Sequence, residues 1–276
     1  MTPRKETLAD GIELWLGDCR EVVEALGDKF ADLVFTDPPY GHNNNNGDLI
    51  ARRESALGQK AVAETEWRPI ANDGAQEATE LAQWLFDNSP SWLRAGGCCC
   101  CCCCCCGGGG PDPQFARWSL MMNGPLDFKQ MIVWDKGPIG MGWHYRRSYE
   151  TVLVGQKPGG ACKWYDSTQQ IENIIRPGSY GIKKILPSKD QHPTEKPWEL
   201  AAHFIRLHTE PNDTVFDPFM GQGSTGYAAV RLGRAFIGVE LEEKFFNAAC
   251  KKVSSATKQP DFFIERPKPA KQEVML

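Results

Sequence analysis

An α/β fold, with a mainly parallel sheet covered by helices on both faces, is predicted by three observations. Short apolar runs alternate with segments of helical spacing along most of the chain, which is the pattern of strands joined by helical crossovers. The run Ala31-Asp32-Leu33-Val34-Phe35 is compact and nearly continuous in apolar residues, as a strand buried on both faces should be. From Val215 the chain reads strand, glycine turn and helix start within a dozen residues. With 276 residues, 41% hydrophobic and 24% charged, the chain can bury one sizeable core.

The elements follow in order. Ile12 to Leu16 alternates as a strand, Cys19 to Leu26 has helical spacing, and Ala31 to Thr36 is the buried strand. Residues 41–75 are polar, with Asn43 to Asn46 and Arg52, Arg53 and Arg68, and are expected to form a mobile loop. Leu81, Trp84, Leu85 and Trp92 predict a helix over Glu77 to Leu93, stopped by Gly96-Gly97 and followed by a strand through the cysteines. After Gly107 to Gly110 come a helix over Pro111 to Met122 and strands over Phe128 to Trp134 and Thr151 to Val154. Residues 157–190 are expected to be irregular and carry six basic against three acidic side chains. The remainder predicts helix Pro197 to His208, strand Thr214 to Phe216, helix Ser224 to Leu232 and strand Ala235 to Val239. Beyond Ser254 the prolines Pro260, Pro267 and Pro269 predict a helix end and a disordered tail. The chain is therefore expected to be one domain over 1–254 with a tail over 255–276.

No apolar stretch is long enough to span a bilayer, and the opening residues lack the pattern of a secretory signal. A cytoplasmic protein with no membrane contact is the expectation. The formal net charge of −4 argues against coating nucleic acid by bulk electrostatics, so any such contact must be local. Nine of the twelve cysteines form one run, Cys98 to Cys106, with Cys19, Cys162 and Cys250 elsewhere. Neighbouring residues of a strand face opposite sides, so the run cannot gather four thiolates around one ion. It reads as a strand of small apolar residues in a reducing compartment, and a tract from a repeated codon remains open. No metal is expected.

Two motifs carry chemistry. In Thr36-Asp37-Pro38-Pro39-Tyr40, which directly follows a strand, two prolines stiffen the loop and remove two amide donors. What is left is an acceptor site: the Asp37 carboxylate, the Pro38 carbonyl and the flat face of Tyr40. Such a site suits an exocyclic amine of a nucleobase, whose delocalised lone pair attacks poorly until acceptors hold its hydrogens. Stacking on Tyr40 would be worth about 1–3 kcal/mol, and a base inside a duplex would have to flip out. The four residues alone also fit ordinary strand-to-turn punctuation. The second motif is Asp217-Pro218-Phe219-Met220-Gly221-Gln222-Gly223-Ser224-Thr225-Gly226, whose glycines and helix start suit a nucleotide-type cofactor. Glu240, at the end of the next strand, could accept from both ribose hydroxyls. Asp217-Pro218-Phe219 replaces the small-residue lead-in of an NAD turn, which disfavours a dinucleotide without excluding it.

Taken together the motifs resemble the beta group of DNA amino-methyltransferases, in which D-P-P-Y precedes F-x-G-x-G. Matching segments follow in that group's order: Gly17-Asp18-Cys19, TDPPY, FKQMIVWDK (128–136), YETVLVGQKP (149–158), HPTEKP (192–197), DPFMGQGSTG and FIGVE. The strand of cysteines departs from that group's mixed aliphatic residues. The resemblance implies a Rossmann-like S-adenosylmethionine-dependent methyltransferase sheet with a short target-recognition insertion at about 157–190. It implies duplex DNA as partner, a role in DNA methylation and restriction-modification, and leaves room for a homodimer. Asp37, Pro38, Pro39 and Tyr40 would be the methyl-transfer pocket. Asp18, Cys19, Thr194, Lys196, Asp217, Phe219, Gly221, Gly223, Ser224, Thr225 and Glu240 would hold the cofactor. A solvated helix-start charge is the competing reading of Lys196. Arg52, Arg53, Arg146, Arg147, Lys183 and Lys184 are candidate DNA contacts, against the plainer reading of solvated loop charges.

Asp at the first position of D-P-P-Y favours adenine N6 over cytosine N4 in that group. A catalytically silent DNA-binding module would show decay in one of the two motifs, and neither is decayed. An RNA or protein methyltransferase with a similar acceptor loop is the third alternative.

Overall fold

The computed structural model describes residues 2–40, 74–103, 114–137, 148–182 and 196–258. Most of the expected loop over 41–75 lies outside these residues. So do the end of the cysteine run from Cys104, the candidate DNA contacts Arg52, Arg53, Arg146, Arg147, Lys183 and Lys184, and Thr194.

Among the described residues the strands are β1 (Arg4–Ala9), β2 (Ile12–Leu16), β3 (Ala31–Thr36), β4 (Leu93–Cys103), β5 (Asp127–Asp135), β6 (Tyr149–Gln156), β7 (Ile174–Ile175), β8 (Thr214–Asp217) and β9 (Ala235–Glu240). The helices are α1 (Cys19–Leu26), α2 (Ala75–Trp92), α3 (Gln114–Met122), α4 (Trp198–His208), α5 (Ser224–Arg231) and α6 (Glu243–Thr257). One sheet runs in the order β1-β2-β9-β8-β3-β4-β6-β5-β7. The pairs from β2 to β4 are parallel, and β1, β6 and β5 add antiparallel pairs at the flanks.

The helices divide between the faces. Leu200 and Phe204 of α4, Ala228 and Ala229 of α5, and Phe246, Ala249 and Val253 of α6 pack on one side with Leu33, Phe35 and Val215. Val22 of α1, Leu85 and Phe86 of α2, and Trp118 and Met122 of α3 pack on the other with Val34 and Phe216. All six residues of β3 are buried, which is why this strand reads as a continuous run rather than an alternation. The cysteines obey the strand period: Cys98, Cys100 and Cys102 join the first core, and Cys99 and Cys101 join the second.

A buried charge lies near the amino end of β3. Asp32, 1% exposed, accepts from Lys163 Nζ at 2.8 Å and from the Thr214 amide at 2.9 Å, and is also bonded by Arg94. A carboxylate buried inside a strand is tolerated because its lone pairs are met. The result ties the amino ends of β3 and β8 to the segment following β6.

Several boundaries differ from expectation, each for a physical reason. β1 was not foreseen, because RKETLA is almost wholly exposed on the sheet edge and has no apolar alternation. Helix α2 ends at Trp92 rather than at Gly96-Gly97, and β4 already begins at Leu93. The glycines lie in a bulge, where the register moves from Ala31↔Leu93 to Leu33↔Cys98. β7 and a 3-10 turn over Ser179–Gly181 lie in the stretch expected to be irregular. α6 continues to Thr257, past the expected domain end at 254.

The α5 contact with β9 is tight enough to test. A Cβ at Gly226 would sit 2.5 Å from Phe236 Cε1, on a ring that is fully buried. Gly226→Ala should therefore lower stability by about 1–3 kcal/mol through overpacking. Urea unfolding measures this, and an unchanged midpoint would show that the ring can move aside.

Candidate active site

The sheet order brings four chain segments to one edge. β2, β9, β8 and β3 are parallel neighbours, so the residues leaving their carboxyl ends share one crevice. These are Asp18 after β2, Glu240 ending β9, the Gly221 turn after β8 and Asp37 after β3. Ligands in open α/β sheets lie in this position.

The two motifs meet directly. Thr36 Oγ1 donates to Asp217 Oδ1 at 2.8 Å, and the Phe219 amide donates to the same oxygen at 3.1 Å. Asp217 is 2% exposed, and burial pushes its carboxyl up to about 6 against the pull of bonds from Thr225 and Thr36. Asp217 and the buried Thr225 thus brace the turn internally, whereas the sequence reading placed both against a ligand. Within the turn, Gly221 has a φ of +53° and faces open space. Gly223 has a φ of +82°, and a Cβ there would sit 3.0 Å from Ala249 Cβ, so it serves the approach of α6. Phe219 and Ser224 are half-buried at the rim, and Ser224 Oγ accepts from Lys252 Nζ at 2.7 Å.

Glu240 closes the other wall. Its Oε2 accepts from the Gly221 amide at 3.0 Å and its Oε1 from the Glu242 amide at 2.8 Å. Burial pushes its carboxyl up to about 7 despite those bonds. Gly17 donates to the Glu240 carbonyl at 2.9 Å, which fixes Asp18 beside it. Asp18 caps α1 through the Arg20 amide and pairs with the Arg20 guanidinium at 2.5 Å. Arg20 holds its carboxyl below the usual range. The Cys19 side chain is in the core and its thiol is pushed up to about 12 by burial.

Asp37 lies at the centre of a charged network the motifs did not announce. Lys196 Nζ donates to Asp37 Oδ2 at 2.9 Å and to the Tyr40 hydroxyl at 3.0 Å, and lies 5.1 Å from the Tyr40 ring centre. Lys196 also pairs with Glu150 at 3.1 Å, and Glu150 pairs with Lys136 at 2.7 Å. Sequence reading put Lys196 among the cofactor contacts; its ammonium instead reaches the D-P-P-Y loop. Glu150 and Lys136 were missed, although a glutamate opening a strand as apolar as TVLVG was a signal. Burial raises the Asp37 carboxyl, Lys196 pulls it down and Glu150 pushes it up. Asp37 Oδ1 is buried and has no hydrogen-bond partner among the described residues, an acceptor whose desolvation is uncompensated until a donor meets it. Pro38 is buried, Pro39 and Tyr40 are half-buried, and the Tyr40 ring lies 6.3 Å from Trp118.

Removing the ammonium should raise the Asp37 titration further. In Lys196→Met the Asp37 carboxyl is expected to titrate at higher pH than in the parent, as read by carbon NMR of labelled aspartate. A shift downward would mean that Lys196 does not govern its charge.

Comparison with known proteins agrees with this geometry. The chain matches the N6/N4 DNA methylase family (DNA methylase) over residues 31–251. It is 26% identical to the type II methyltransferase M.HinfI of Haemophilus influenzae, over 93% of this chain and 72% of that protein. The fold resembles the S-adenosyl-L-methionine complex of TTHA0409, a putative DNA modification methylase of Thermus thermophilus, with a TM-score of 0.57 at 22% identity, covering 87% of this chain and 94% of the other. It also resembles the cytosine-N4-specific PvuII DNA methyltransferase, with a TM-score of 0.63 at 19% identity over 91% of this chain and 87% of the other. The match covers both strand-end loops and the sheet between them, and the chain belongs to the N6/N4 DNA methylase family.

Proposed function

We propose that this methylase transfers the methyl group of S-adenosylmethionine to N6 of an adenine flipped out of duplex DNA. The observation that carries the reading is the unpartnered Asp37 Oδ1, buried beside Tyr40 while Lys196 occupies Oδ2.

The residues fit the cofactor. A half-buried carboxylate at Glu240, set against the Gly221 amide, retains lone pairs for ribose hydroxyls. Asp18 offers a further acceptor to an adenine amine, and the rim of Phe219, Gly221 and Ser224 lines the path toward Asp37. Bound there, S-adenosylmethionine supplies a methyl carbon on a positively charged sulfur. Asp37 Oδ1 and the Pro38 carbonyl would accept the two amine hydrogens, so that the nitrogen pyramidalises and its lone pair, withdrawn from conjugation with the ring, becomes available to attack a methyl carbon. The carboxylate favours the positive charge growing on nitrogen and is a base for the proton shed afterwards. Lys196 opposes the burial that raises the Asp37 carboxyl and so favours its ionised form, and its grip on the Tyr40 hydroxyl fixes the ring on which the base stacks.

Adenine is preferred over cytosine on the aspartate at position 37. Incubation with labelled cofactor and DNA, then nucleoside analysis, should give N6-methyladenine; N4-methylcytosine as sole product would reverse the assignment. Arg52, Arg53, Arg146, Arg147, Lys183 and Lys184 are the proposed DNA contacts, with the insertion at 157–190 reading a short sequence.

Asp37→Ala is expected to lower kcat at least about a hundredfold, the scale of removing a group that stabilises transition-state charge. Cofactor affinity should stay within a few-fold of the parent by calorimetry. Equal activity in the two proteins would point to a catalytically silent relative of these enzymes.

Cofactor binding should depend on pH through Glu240. Its carboxyl is raised to about 7, so it is protonated below that value and loses acceptor capacity for ribose. Affinity should therefore weaken as pH falls through about 7, and Glu240→Gln should flatten this dependence while weakening binding roughly tenfold or more, as loss of a charge-assisted hydrogen bond does. A parent affinity independent of pH would remove Glu240 from the ribose contacts.

A further inference from the structure

A second cluster of chemistry-bearing side chains lies away from the catalytic crevice. Cys98, Cys162 and His208 each bring one ligand atom within 4.8 Å of the other two. They come from three parts of the fold: the start of the cysteine strand, the segment after β6 and the last residue of α4. Cys98 stands beside Leu33, whereas Thr36, next to Asp37, stands beside Cys101. The cluster is therefore displaced roughly 10 Å along the strand from the methyl-transfer loop.

Hydrogen bonds tie together the backbone around the cluster. The Lys163 amide donates to the Gly96 carbonyl at 3.0 Å and the Tyr165 amide to the Leu207 carbonyl at 2.9 Å. Gly96 makes the first approach possible, since a Cβ there would lie 2.6 Å from the Ala161 carbonyl oxygen. The Lys163 ammonium is held by Asp32 and Asp213. Cys162 is thereby pinned over the first cysteine of the run, Sγ to Sγ 3.1 Å.

The donor set has the chemistry of a soft cation. We propose that Cys98, Cys162 and His208 bind one thiophilic divalent cation, zinc by preference, with a fourth position open to a water. Two thiolates and a neutral imidazole balance a divalent charge, so the ion can be buried without a net charge, and the two thiol protons leave to solvent. His208 Nδ1 lies 3.2 Å from the Lys163 carbonyl. Donation there leaves the lone pair on Nε2, the outer-shell arrangement that orients metal-bound histidines. In a tetrahedral zinc site the sulfurs stand about 3.8 Å apart, so they must open by roughly 0.7 Å. The half-buried Cys162 can supply this by side-chain rotation. A cavity of about 620 Å³, lined by Cys162, His208, Trp164, His203 and Lys129, adjoins the cluster and gives the ion its entry path and the fourth ligand its room. The strand alternation that argued against a metal applies within the run; one cysteine of the run with two ligands from elsewhere escapes it.

The test uses the full chain, purified with reductant, stripped by chelator and titrated with zinc against a chromogenic competitor, with cobalt as spectroscopic probe. One tight equivalent is expected, with thiolate-to-cobalt charge transfer and tetrahedral ligand-field bands. Cys162→Ser should weaken binding at least tenfold and reduce the charge-transfer band, and His208→Gln should weaken binding while keeping that band. Cys250→Ser should change neither. Circular dichroism and cofactor binding verify that each variant is folded. Full affinity in both Cys162→Ser and His208→Gln would place the metal elsewhere in the run and overturn the proposal. So would failure of the reduced parent to take up metal, or uptake indifferent to all three variants.

Discussion

One buried hydrogen bond, from Thr36 Oγ1 to Asp217 Oδ1 at 2.8 Å, joins two loops that the chain separates by most of its length. Strand adjacency alone would leave those loops free to hinge apart. The shared oxygen also takes the Phe219 amide, so the D-P-P-Y turn and the glycine turn are referenced to one atom. That matters for a reaction between a bound carbon and a bound nitrogen, where misplacement by about 1 Å can cost a hundredfold. The burial of its acceptor carries a cost that the bond only partly offsets. The Asp217 carboxyl is raised from 3.8 to about 6, so its ionised form is disfavoured by folding. The penalty is absent well below pH 3.8, grows as pH rises, and is complete above about 6.

The charges around Asp37 follow a different logic. Lys196 is shared between Asp37 and Glu150, and Lys136 neutralises Glu150 from the other side. Two carboxylates and two ammonium groups alternate, so each charge of this network faces an opposite one. The alternation also holds Lys196 in place when a substrate amine competes for Asp37, because Glu150 keeps its grip. Positions just after β5, in β6 and just before α4 thus act on a loop that follows β3, and the antiparallel flank of the sheet becomes part of the site.

What could be read from the sequence was what is contiguous in it. Asp37 and the Gly221 turn stand out because backbone rigidity, acceptor supply and helix start are packed into a few neighbouring residues after an apolar strand. The Glu150–Lys196 pair is invisible at that level, since it depends on β6 and a residue two positions before α4 meeting in space. Asp217 and Thr225 carried the right residue types for ligand contacts, but burial turned them inward. Cys19 sits beside the expected adenine contact and still faces the core. β1 failed for the opposite reason: an exposed edge strand has no apolar face to give it a period.

The cysteine strand shows how little of the fold depends on which apolar residue fills a site. Thiols are small, and the space beside them is taken by large neighbours, Phe86 and Trp118 on one face and Phe35 and Phe204 on the other. Burial pushes the Cys99 thiol up to about 12, so it enters the core uncharged, as an aliphatic residue would. Strand alternation then disperses these thiols between two cores and keeps them from acting together. Cys98 is the exception because Cys162 lies outside the strand, only half-buried, beside a histidine whose ring orientation is set by a backbone carbonyl. Chemistry in such a tract depends on a second segment crossing it, and here the bulge at Gly96 is what lets that segment come close.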